Sequence, residues 1–102
     1  MEQYEVVISE RAYAMLGAHV RFLSQINVNA AEKLKDRVIK NIILLENAPK
    51  SFPFFEADYI TPNKYHVLFV EKWFLILYQI KDHTVFVDYI IDGRQDYEWL
   101  FK

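Results

Sequence analysis

The period of the apolar pattern changes several times along this chain, and each change marks an element. Tyr4–Ile8 (Tyr-Glu-Val-Val-Ile) is rich in strand formers. Ser9 follows as a helix N-cap, with Glu10 where a carboxylate favours the first turn. From there Ala12, Leu16, Val20 and Leu23 recur at helical spacing, with Tyr13 and Ile26 beside them, which predicts a helix of about four turns. Gly17 lies inside it, at a cost to the helix unless a neighbour packs closely there. Asn27-Val28-Asn29 breaks the helix, and Asn29 is expected to cap the next one. Ala31, Leu34, Val38, Ile42 and Leu45 then form an apolar stripe widened by Ile39 and Ile43, with Lys and Glu residues on the opposite face. This second helix should end near Asn47, because Pro49 cannot continue it. A link so short predicts a helical hairpin.

Beyond it the period becomes two. Pro49 to Pro62 is a Pro-punctuated loop whose Phe52, Phe54, Phe55 and Tyr59 should tie it to the domain. Tyr65, Val67 and Phe69 alternate with Lys64, His66 and Leu68, and Glu71-Lys72 reads as a tight turn. Trp73–Ile80 is almost wholly apolar, as a central strand buried on both faces would be. Lys81-Asp82-His83 turns the chain again, and Val85, Val87, Tyr89 and Ile91 then alternate with Phe86, Asp88 and Ile90. Asp92 to Phe101 reads as a turn and a short amphipathic tail. The order is strand, helix, helix, strand, strand, strand. It predicts one α+β domain over residues 1–102, with the helical hairpin packed on one face of a mainly antiparallel sheet. The first strand should join at an edge. The other face, and the C-terminal strand ends, would be free for a site.

Composition narrows the chemistry. The chain has no cysteine, which excludes disulfides and thiolate metal sites. Three histidines far apart give no metal-ligand spacing, there is no glycine-rich phosphate loop, and no cofactor is expected. The apolar runs fall well short of the ~20 residues of a membrane helix. Nor does Met1-Glu2-Gln3-Tyr4-Glu5 have a basic start leading into an apolar run, so a cytoplasmic protein is expected. Twelve basic and 14 acidic side chains leave a net charge of −2. Nucleic-acid affinity usually rests on a basic excess, so any such contact here must come from a local patch.

The element order and several segments resemble the RelE/ParE toxin superfamily, the plasmid-stabilisation type of bacterial type II toxin. The resemblance runs from Tyr4-Glu5-Val6-Val7-Ile8-Ser9 through Ala31, Leu34 and the Leu45-to-Pro49 helix end to Pro53 and Tyr65-x-Val67-Leu68-Phe69. It is clearest in Tyr78-Gln79-Ile80 and in Val85 to Tyr97. It implies a toxin neutralised by a cognate antitoxin, acting on mRNA at the ribosome or on DNA gyrase, alone, as a homodimer, or as a heterotetramer with the antitoxin. The alternative is a non-toxic module that keeps the fold for antitoxin binding or dimerisation. Many members have Tyr-Arg where this chain has Tyr65-His66. In the RNA-cutting members basic residues near there stabilise the transition-state phosphate, and here only Lys64 and His66 remain locally.

Metal-free RNA cleavage needs a base, an acid and cations for the phosphorane. Lys64, His66, Arg94 and Tyr97 are the candidates for those roles. His66 is the acid–base candidate, because an unperturbed imidazole, with a pKa of about 6.5, suits proton transfer. Arg94 is the cation nearest the free strand ends, but Asp92, Asp96 and Glu98 surround it and would weaken its hold on phosphate. Tyr97 can bond a phosphate or stack on a base, although Trp99, Leu100 and Phe101 beside it favour packing. His83 reads as a solvated turn residue, and His19 has no expected role. Lys33, Arg37 and Lys40 form a basic row on the second helix, suited to solvent or to an acidic antitoxin segment.

Overall fold

A computed structural model describes residues 3–94. Strand β1 (Glu5–Ile8) leads into helices α1 (Glu10–Ser24) and α2 (Val28–Ile43), followed by 3-10 turns at Leu44–Glu46 and Pro49–Ser51. Strands β2 (His66–Val70), β3 (Phe74–Lys81) and β4 (Thr84–Asp92) complete the fold. The sheet order is β1-β4-β3-β2, with β1 parallel to β4 and the remaining pairs antiparallel. The expected α+β architecture and the edge position of the first strand are both present. Among the described residues no helix is long and apolar enough to cross a membrane.

Local chemistry sets the helix ends. The Ser9 hydroxyl accepts from the Ala12 amide at 3.0 Å and starts α1. The second cap is Asn27, not Asn29: its Oδ1 accepts from the Ala30 amide at 3.0 Å, so α2 begins at Val28, inside the predicted break. Asn27 already has the extended backbone a cap needs (φ −156°, ψ 108°), which leaves Asn29 within the first turn.

Ala12 and Leu16 of α1, with Leu34, Val38 and Ile42 of α2, bury against Leu68, Val70, Ile76, Tyr78, Val85, Val87 and Ile90. Strand β3 alternates into this core with Phe74, Ile76 and Tyr78, and into a second one with Leu75 and Leu77, as a strand buried on both sides must. Two expectations change. In β4 the alternation is not continuous: Tyr78 pairs with Val87 while Leu77 pairs with Tyr89, so Asp88 is an extra residue in a β-bulge. The bulge reverses the phase, and Val85, Val87 and Ile90 face the helices while Tyr89 and Ile91 join Tyr65 and Val67 on the opposite side. That opposite face is also not free. Phe55 and Ile60 of the long loop pack on it, and Tyr65, Val67, Leu75, Leu77, Tyr89 and Ile91 are all buried.

The loop is tied down as its aromatics suggested. The Phe55 amide donates to the Tyr65 carbonyl at 2.7 Å and the Val67 amide to the Pro53 carbonyl at 2.9 Å. Tyr78 donates its hydroxyl to the Pro49 carbonyl at 2.6 Å, and burial pushes that phenol's pKa well above its ordinary value.

Candidate functional site

Strands β2 and β4 both run antiparallel to β3, so they run in the same direction. His66 opens β2 opposite Tyr78, whereas Asp92 closes β4 opposite Phe74. These register positions lie four residues apart on β3, roughly 13 Å at the usual strand rise, and two strands apart across the sheet. Lys64 and His66 therefore share one end of the sheet and Arg94 occupies the other. Tyr97 lies outside the described residues.

At the Arg94 end, the guanidinium grips Asp92 with both arms, Nε to Oδ1 at 3.0 Å and Nη2 to Oδ2 at 2.9 Å. The Arg94 amide adds a third bond to Asp92 Oδ1 at 3.0 Å. Burial works against the Asp92 carboxylate, but the Arg94 hydrogen bonds and charge outweigh it and hold its pKa below the ordinary range. Of the acidic neighbours weighed for Arg94, Asp92 is the one it holds; Asp96 and Glu98 lie outside the described residues. The tie sets a carboxylate against the cation's charge, although 54% of the Arg94 side chain remains exposed.

Gly93 is fixed here by close approach. Its amide donates to the Trp73 carbonyl at 2.7 Å. A Cβ on it would stand 2.9 Å from that oxygen and 2.7 Å from Leu75 Cδ1.

Beside this pair an open groove of about 630 Å³ runs between the tip of the helical hairpin and the β2–β3 turn. Phe22, Ile26 and Trp73 line it and stay 65%, 73% and 50% exposed. Large side chains so exposed and so close together form an apolar patch of the kind that binding surfaces carry. Lys33, Arg37 and Arg94 add basic groups, with Arg37 bound to Glu71 at 3.0 Å. The predicted basic row is thus split: Lys33 and Arg37 reach the groove and Lys40 does not line it. His19, given no role by the sequence, lines the groove, donates from Nε2 to the Ile90 carbonyl at 3.0 Å and meets Phe74 edge-on. Phe22 and Trp73 carried a sequence signal that went unused, since Phe22 falls outside the buried stripe of α1 and Trp73 begins an apolar run at a turn.

At the other end Lys64 and His66 line a second open pocket, of about 720 Å³, with Lys50, Phe54, Lys81 and Asp82. His66 Nδ1 donates to the Phe52 carbonyl at 2.8 Å. Its ring lies between Phe54 and Tyr78, with centroids 4.2 and 5.2 Å away.

On the buried sheet face, Tyr65 is hydrogen-bonded to the bulge carboxylate of Asp88, which also accepts from Gln79 Nε2 at 3.0 Å. Burial, then Asp88, raises the Tyr65 pKa to about 12, and Arg11 stacks on the neighbouring Tyr89 ring at 3.9 Å. These bonds hold the carboxylate of the bulge residue Asp88. Among the described residues no group of three or more potential metal ligands occurs.

No curated protein matches the chain significantly. Among solved structures, a chain of the "Chromosomal ParDE TA system from P. aeruginosa" superposes with a TM-score of 0.73 at 16% identity, covering 90% of this chain and 98% of that one. The identity is low, so this likeness speaks for the fold. The sequence itself matches the family described as "ParE toxin of type II toxin-antitoxin system, parDE" over residues 6–97, from β1 to beyond the Asp92–Arg94 pair. With that match spanning nearly the whole domain, the chain belongs to the ParE toxin family of type II toxin–antitoxin systems.

Proposed function

We propose that this chain is a cytoplasmic toxin that acts by binding a protein target, DNA gyrase, and does not cleave mRNA. The observation that carries this reading is the separation of the cationic candidates. Stabilising a phosphorane requires cations and an acid–base pair around one phosphate. Arg94 is bound to Asp92 at one end of the sheet; at the other, where Lys50, Lys64 and Lys81 gather around His66, the His66 Nδ1 is committed to the Phe52 carbonyl and no second acid–base group is hydrogen-bonded to the ring among the described residues. Poisoning an enzyme through a protein surface needs no such convergence.

The same reading gives the antitoxin a place. An amphipathic segment laid in the groove would cover Phe22, Ile26 and Trp73 with its apolar side and present carboxylates to Lys33 and the outer edges of Arg37 and Arg94. Folding of that segment on the toxin would stabilise the pair by mass action. The test is transcript mapping after brief induction without the antitoxin gene. Growth arrest with DNA damage and intact transcripts is expected. Codon-linked cuts would overturn the gyrase reading, and normal growth at confirmed expression would favour a module without target activity.

A further inference from the structure

The two edges of the sheet are finished differently. Along β2 the loop folds back as a cover: the Phe55 amide donates to the Tyr65 carbonyl, the Val67 amide to the Pro53 carbonyl, and Phe54 bridges to His66. The half of β4 that outruns β1 is covered by α1. Ser9 and Arg11 donate to the Asp88 carbonyl at 3.4 and 3.2 Å, and His19 Nε2 donates to the Ile90 carbonyl at 3.0 Å. Strand β1 is the other edge, and among the described residues no strand or loop pairs with its outer side.

Alternation decides which of its groups are open. Glu5 and Ser9 donate inward, to the His83 and Val87 carbonyls, and Val7 has the same phase. The amides and carbonyls of Val6 and Ile8 therefore point outward. The edge is closed beyond them, because the Tyr4 amide is bound to the Glu46 carbonyl and Glu10 opens α1. Neither proline nor lysine guards the strand.

We infer that β1 pairs with β1 of a second copy of this chain, antiparallel about a two-fold axis at Val7, joining the two four-stranded sheets into one. The open groups dictate this register. With Val7 opposite Val7, Val6 of each copy faces Ile8 of the other, and every outward amide and carbonyl of the four residues is paired. Centring on Val6 would set Ile8 against Tyr4, whose amide is taken, and centring on Ile8 would set Val6 against the helix. The side chains agree. Val7, 38% exposed, meets its own copy in the closer, non-hydrogen-bonded kind of pair. Glu5 falls opposite Ser9, so no like charges oppose each other. The antiparallel arrangement also brings the N-terminal end of one β1, beside exposed Leu44, towards the C-terminal end of the other, where exposed Tyr13 lies in the first turn of α1. No residue of β1 lines the groove at the hairpin tip, so this pairing leaves that groove open and is independent of the target.

The experiment uses the full chain. Sedimentation over a range of concentrations should show a monomer–dimer equilibrium, and hydrogen exchange should show the Val6 and Ile8 amides protected in the dimer. Val7→Lys sets two ammonium groups against each other and should weaken the dimer at least about fivefold while keeping the native circular dichroism. A second variant does not depend on that one. The chain has no cysteine, so Val7→Cys introduces a single thiol. Its Cα should lie about 4.5 Å from its copy, within disulfide range, and mild oxidation should link the dimer. Glu5→Cys, four residues out of register with itself and roughly 13 Å from its copy, should stay unlinked, as should the remote Ser24→Cys. A monomer at every concentration, a dimer unaffected by Val7→Lys, or equal linking by all three thiols would overturn the inference. So would Val6 and Ile8 amides that become protected only when the antitoxin is added, which would give the edge to that partner.

Discussion

The two ends of the sheet carry comparable numbers of charged groups and use them differently. At the Arg94 end two of the three cations are paired, Arg94 with Asp92 and Arg37 with Glu71, Lys33 stands without an ion pair among the described residues, and exposed Phe22, Ile26 and Trp73 define the surface. At the His66 end Lys50, Lys64 and Lys81 have no ion-pair partner among the described residues, and the aromatic rings are stacked into a wall. Paired charges beside exposed apolar side chains suit a surface that another protein covers, because desolvation then strands fewer lone charges. Unpaired cations around a polar opening suit a small anionic ligand. Difference in charge pairing, more than difference in composition, separates the two ends.

The largest effect should come from removing the groove's aromatic anchor. Trp73→Ala should weaken antitoxin binding by about 2–4 kcal/mol, the range for a buried aromatic hot spot, in calorimetric titration. Lys50→Gln should leave that affinity unchanged, and equal losses would erase the distinction between the ends. Next is the backbone beneath the groove. Gly93→Ala must displace the Trp73 carbonyl or Leu75, and a cost of about 1–3 kcal/mol is expected in urea unfolding.

The Asp92 pair makes a pH prediction of smaller size. Its pKa is lowered in the fold, so its contribution is fully present above the unfolded value of about 3.9 and is lost as pH falls through the folded value. Melting of the parent should therefore drop more steeply than that of Asp92→Asn below about pH 4, and parallel curves would contradict the pairing. Smallest is Gly17→Ala. The nearest atom to a Cβ there is the flexible Arg21 Nη1 at 3.2 Å, so helix propensity should prevail and stabilise the protein by about 0.5–1 kcal/mol. A loss of stability would mean that the Arg21 side chain cannot move aside.

Much of this contrast was hidden in the sequence for reasons that particular residues illustrate. The helical stripe from Ala12 to Leu23 and the apolar run of β3 were readable because their periods are set by burial. The bulge at Asp88 was not, since one inserted residue reverses the face of everything after it without altering composition. Coverage of the second sheet face by Phe55 and Ile60 depends on where a loop folds back, which no local pattern records. The separation of His66 from Arg94 was inferable: in a meander the first and third strands are parallel, so the start of one and the end of the other must lie at opposite ends. Lys50 and Lys81 meet Lys64 only through tertiary packing, and nothing in their spacing announces it.

The central claim is that toxicity proceeds through a protein target without RNA chemistry. It is tested most directly by incubating the purified chain with DNA gyrase, ATP and plasmid, with and without antitoxin, beside a ribosome-bound mRNA under the same conditions. The account predicts inhibited supercoiling with accumulation of cleaved plasmid, reversed by antitoxin, and an intact message. Unimpaired gyrase together with a cut message would contradict it.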